Sequence, residues 1–80
     1  MFKLVEGQTV TVRQSLEFYP RPEDDNYMVI IDGPVTVKIV DICSEPNADW
    51  SHYNVDIEVM GNMYAGTMIN IDIEEDDIES

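Results

Sequence analysis

The sequence predicts an all-β fold, either a small barrel or a strongly bent antiparallel sheet of five to six strands. Three observations predict it. Apolar residues recur with a period of two through Val10 and Val12, Val35 to Ile39, Tyr53 to Val59, and Ile69 to Ile73. No segment carries a capped apolar stripe at a spacing of about 3.6 residues. The chain has only 80 residues, so its strands are short and closely spaced, and bending or closure removes exposed sheet edges.

The first strand is read over residues 8–13, with Val10 and Val12 on one face and Thr9, Thr11 and Arg13 on the other. A long loop, Gln14–Asn26, contains Pro20, Pro22 and the acidic run Glu23-Asp24-Asp25. Tyr27–Ile31 is rich in β-branched and aromatic residues and is closed by the turn signal Asp32-Gly33-Pro34. Val35, Val37 and Ile39 then alternate with Thr36 and Lys38. The phase slips at Val40, and a one-residue slip inside a strand predicts a bulge or sharp bend.

A second loop, Ser44–Ser51, carries Pro46, Asp49 and Trp50, with a single helical turn as the best local reading of residues 47–51. Tyr53, Val55, Ile57 and Val59 alternate with Asn54, Asp56 and Glu58, so one face is apolar and the other polar and acidic. Gly61-Asn62 suits a two-residue hairpin turn leading to Met63-Tyr64-Ala65. After Gly66, the last strand turns Ile69, Ile71 and Ile73 inward and Asn70, Asp72 and Glu74 outward. The expected organisation is one domain over residues 1–73, followed by an acidic, flexible, frayed tail over 74–80.

Charge limits the partners. Seventeen acids against four Lys and Arg give a net charge of −13. Six of the 17 acids fall in residues 72–80, so the rest of the chain still holds 11 acids against 4 cations. Four scattered cations cannot neutralise a row of phosphates, which opposes direct binding to nucleic acid or to an anionic membrane. Partners should be proteins with a basic surface or groove. No apolar run approaches the ~20 residues that span a bilayer, the N-terminus lacks a secretory pattern, and the single Cys43 cannot form an internal disulfide. The expected setting is the cytoplasm.

Catalytic and metal signatures are absent from the pattern. Cys43 and His52 are the only residues of their kinds, too few for a structural zinc site. Glu23–Asn26 and Glu74–Asp77 lack the spacing of an EF-hand loop. The four glycines, at 7, 33, 61 and 66, fall at strand junctions and not in a phosphate-binding loop. The sequence therefore reads as a non-enzymatic protein with no cofactor.

Glu6–Arg13 followed by a long loop, the Val35–Ile42 strand, Tyr53-Asn54-Val55 and a closing Met68-Ile69 resemble the SH3-like small barrels found among phage-encoded and other small accessory proteins. The resemblance covers most of the chain and implies architecture more than activity. It suggests a phage-type inhibitor or modulator of a host nucleic-acid-binding protein, acting in the host cytoplasm.

Candidate binding residues follow from charge and exposure. Alternate residues on a strand lie roughly 6.8 Å apart on one face, so Asp56 with Glu58, and Asp72 with Glu74, make short rows of carboxylates. Such rows can stand in for phosphates and steer association with a basic groove. Glu23, Asp24 and Asp25 form a second acidic cluster. Loop aromatics commonly anchor interfaces, and Phe18, Tyr19 and Trp50 are the candidates for an alternative reading, a structural or adaptor barrel. If the barrel fails to close, an edge strand offers a route to a homodimer.

Overall fold

The computed structural model describes residues 3–21, 23–24 and 26–79. Among them the protein is all-β, with seven strands and one 3-10 turn and no α-helix. The strands are β1 (Thr9–Val12), β2 (Leu16–Phe18), β3 (Val29–Ile31), β4 (Val35–Ser44), β5 (Tyr53–Val59), β6 (Met68–Ile73) and β7 (Ile78–Glu79), with the 3-10 turn η1 (Glu75–Asp77) between the last two. No helix here is long and apolar enough to cross a membrane.

Five strands form one antiparallel sheet in the order β6-β5-β4-β1-β7, and β2 pairs only with β3. The sheet alternative is the one realised, and no closed barrel forms among the described residues. The reason lies at residues 13–15, where the chain leaves β1 and enters β2 in a separate two-stranded ribbon. The Gln14 side-chain amide donates to the Asp72 carbonyl of β6 at 3.2 Å, a side-chain hydrogen bond between the start of the ribbon and the β6 edge of the large sheet.

The period-two residues build the core. Val12, Val37, Ile39, Val55, Ile57 and Ile73 are fully buried, and Leu16 and Ile31 from the ribbon join the same cluster. Register keeps them together, since Ile39 opposes Ile57 and Ile57 opposes Ile69. The slip at Val40 is a real irregularity. Pairing passes from Ile39↔Ile57 to Asp41↔Asp56, leaving Val40 as the extra residue, and a second shift at Cys43 lies between Ile42↔Val55 and Ser44↔Asn54. Without the first bulge, Ile42 would face outward with Lys38.

Three local expectations change. Leu16–Phe18, read as loop, forms β2 because Leu16 alternates with Phe18 on the ribbon's inner face against Val29 and Ile31. Residues 63–65 form no strand. Gly61 does take a positive φ of 75°, but the connection widens, with Gly66 N–H donating to the Val59 carbonyl and Val59 N–H to the Thr67 carbonyl. The expected frayed tail also departs from the structure over 74–79. Arg13 N–H donates to the Asp77 carbonyl at 2.7 Å, Val12 pairs with Ile78 and Thr11 with Glu79. Ile78 is the physical reason, because it packs against the core and ties down a segment that its charge alone would leave solvated.

Candidate acidic face and aromatic cleft

The outer face of β4, β5 and β6 is set by the same alternation that buries the core. Inward Val55 and Ile57 force Asn54, Asp56 and Glu58 outward, and inward Ile69, Ile71 and Ile73 do the same for Met68, Asn70 and Asp72. Asp56, Glu58 and Asp72 therefore share one face. Register makes Asn54 oppose Asp72 and Asp56 oppose Asn70. The result is a checkerboard in which Asp56 and Asp72 each face an amide on the neighbouring strand, while Glu58 faces Met68.

Hydrogen bonds complete the checkerboard. The Asn54 amide donates to Asp72 Oδ1 at 2.8 Å and to Asn70 Oδ1 at 2.9 Å. The Asn70 amide donates to Asp56 Oδ1 at 2.9 Å and to Asn54 Oδ1 at 3.0 Å, and lies 3.8 Å from Cys43 Sγ. Neutral donors thus hold both carboxylates in place without cancelling their charge, which a Lys or Arg would have done. These two asparagines were not among the sequence candidates. Their signal was an Asn at an outward position of each of two neighbouring strands.

Further across the face, Glu58 opposes Lys38, while Asp41 opposes Asp56 directly. Asp41, Asp56 and Cys43 bring one ligand atom each within 4.8 Å of one another. Loss of water around the exposed Cys43 sulfur, then the charges of Asp56 and Asp41, raise its pKa above the ordinary thiol value. A raised pKa disfavours the thiolate, the form that attacks as a nucleophile.

Glu74 leaves the face at the end of β6. Its N–H donates to Asp77 Oδ2 at 2.8 Å, and Asp77 N–H donates back to its carbonyl at 3.0 Å, closing η1. This turn presents Glu74, Glu75 and Asp76 to a shallow cleft of about 610 Å³, whose other lining is Pro46, Asn47, Trp50 and Ser51. The Trp50 loop is built by Asn47, whose Oδ1 accepts from the N–H groups of Asp49 and Trp50 and whose own N–H donates to the Trp50 carbonyl. The Trp50 ring is 43% exposed and stacks on His52 with centroids 5.9 Å apart. His52 Nε2 lies 3.9 Å from Asp72 Oδ1. A continuous path therefore runs from the cleft through His52 to Asp72 and the checkerboard.

The remaining candidates lie elsewhere. Phe18 turns inward and meets Tyr64 edge-on, with centroids 5.8 Å apart, so it serves the core margin and is not an exposed anchor. Tyr19 is exposed at the end of β2. Glu23 and Asp24 are exposed in the β2–β3 loop, where Asp24 Oδ1 accepts from the Asn26 N–H; Asp25 lies outside the described residues. No known protein family, curated protein or solved structure matches the chain.

Proposed function

We propose that this protein is a non-catalytic acidic binding module that docks on the basic surface of another protein, with the cleft beside Trp50 receiving a cationic side chain. The observation that carries the reading is the cleft itself, lined by exposed Trp50 and by Glu74, Glu75 and Asp76. An arginine guanidinium can stack on an indole and donate to a carboxylate at the same time. Asp72 and Asp56 extend the negative surface away from the cleft along the outer face of β5 and β6.

Within this reading the partner is a nucleic-acid-binding protein, and Asp56, Glu58, Asp72 and Glu74 stand in for phosphates. The net charge of −13 supports this choice, since it raises the on-rate toward a basic groove. The likeness to SH3-like phage accessory proteins supports an inhibitor or modulator working in a host cytoplasm. The alternative, an adaptor held by its loop aromatics, keeps Trp50 and Tyr19 but loses Phe18, which is turned into the core margin.

The test starts with a partner recovered from nuclease-treated bacterial lysate and purified, whose affinity is then measured at about 0.1 M and about 0.5 M salt. Replacing Asp56, Glu58, Asp72 and Glu74 by their amides should weaken binding and flatten its salt dependence. Trp50→Ala should cost about tenfold or more, as anchors of interfaces do. Unchanged affinity in both variants would overturn the reading.

A further inference from the structure

Alternation in the β2–β3 ribbon produces a surface unlike the outer face of the large sheet. Leu16, Phe18, Val29 and Ile31 face inward, and Glu17 opposes Ile30. Carrying that register one pair further sets Tyr19 opposite Met28. The outward side of the ribbon is therefore Glu17, Tyr19, Met28 and Ile30, with Tyr19 53%, Met28 41% and Ile30 51% exposed. Tyr27, 48% exposed, precedes Met28 in the chain and carries the Arg21 guanidinium 5.3 Å from its ring centroid. The outer faces of β4, β5 and β6 hold Lys, Glu, Asp, Asn and Thr at most of the equivalent positions. Single exposed apolar residues are ordinary, but a contiguous set on one short ribbon marks an interaction surface.

Charge decides the occupant. Glu17 lies on the patch itself, and exposed Glu23, Asp24 and Asp32 flank it in sequence. A second copy of the chain would bring another −13 to the contact, which opposes self-association. We propose that the outward face of the β2–β3 ribbon is a docking surface for an extended segment of a partner protein in which apolar side chains alternate with Lys or Arg. Its apolar side chains cover Ile30, Met28 and Tyr19 while its cations meet the acidic rim. The surface is separate from the Trp50 cleft and does not rest on the function proposed for it.

The test uses the intact protein and two short synthetic peptides, one alternating Lys with Val and one alternating Lys with Ser. The Lys-Val peptide should bind at least about tenfold tighter, the difference made by a few partly covered apolar side chains. Its amide chemical-shift changes in the unaltered protein should centre on residues 17–19 and 28–30. Met28→Ser with Ile30→Ser should abolish the discrimination between the peptides, whereas Asp56→Asn with Asp72→Asn should preserve it. Equal binding of both peptides, or shifts confined to residues 46–51 and 74–76, overturns the proposal. So does a concentration-dependent dimer of the unaltered protein that Met28→Ser with Ile30→Ser dissociates, because the occupant is then a second copy.

Discussion

Asn54 and Asn70 exchange side-chain hydrogen bonds at 2.9 and 3.0 Å across the β5–β6 pair, and each uses its remaining donor on an aspartate. Two neutral amides thereby space out carboxylates that would otherwise meet across neighbouring strands.

Asn70→Asp should therefore destabilise the fold by about 1 kcal/mol, because it sets like charges directly opposite each other at Asp56. The loss should shrink at high salt, where exposed charges are screened. Urea unfolding of the variant and the parent at low and high ionic strength reads both effects. A salt-independent loss would mean that the amide acts by packing and not by spacing charge.

Cys43 should alkylate with iodoacetamide more slowly than a free thiol at mildly alkaline pH, despite its exposure. Its pKa is raised in the folded state, so the native protein holds the proton to higher pH than the unfolded chain does. That contribution to stability is fully present below the ordinary thiol pKa and is lost as pH rises through the folded value. Asp41→Asn should speed alkylation by removing one of the charges that oppose the thiolate, with intact-mass kinetics across pH as the measurement.

Gly33→Ala should be among the most damaging single changes. A Cβ at that position collides with the carbonyl oxygens of Arg13 and Gln14, and neither backbone can move without disturbing the corner between β1 and β2. A loss of about 3 kcal/mol or failure to fold is expected, the scale of severe strain or overpacking. Gly7→Ala meets no atoms within 4 Å but sits at φ 89°, and should cost about 1 kcal/mol. Thermal melts of the two variants rank them.

Deleting residues 75–80 should destabilise the protein even though it removes four of the acids. The deletion takes away Ile78 from the core margin, the β7 pairing with β1 and the Asp77 carbonyl that accepts from Arg13. A loss of about 1–3 kcal/mol follows from one partly buried aliphatic side chain and a few hydrogen bonds. Relief of repulsion is the opposing effect, and a gain in stability at low salt would show that it prevails. Ile78→Ser, which keeps every charge, separates the two.

Much of the architecture was legible because period-two alternation fixes which side chains point inward, whatever the sheet becomes. It assigned β1, β4, β5 and β6, the irregularity at Val40, the turn at Asp32–Pro34, and the outward direction of Asp56, Glu58 and Asp72. Local patterning could not reach the pairings between distant segments. Only the tertiary structure decided that β2 leaves β1 at Gln14 and Ser15 for its own ribbon, that Ile78 returns to β1, and that Asn70 stands opposite Asp56. The same holds for the meeting of Trp50 with Glu74–Asp76, residues far apart in the chain that share a cleft because Asn47 folds one loop and Asp77 closes the other. Alternation is a property of neighbours along the chain, whereas register, edge pairing and cleft formation depend on which strands find each other in space, and there a partly buried side chain such as Ile78 packs against the core from within a strongly charged segment.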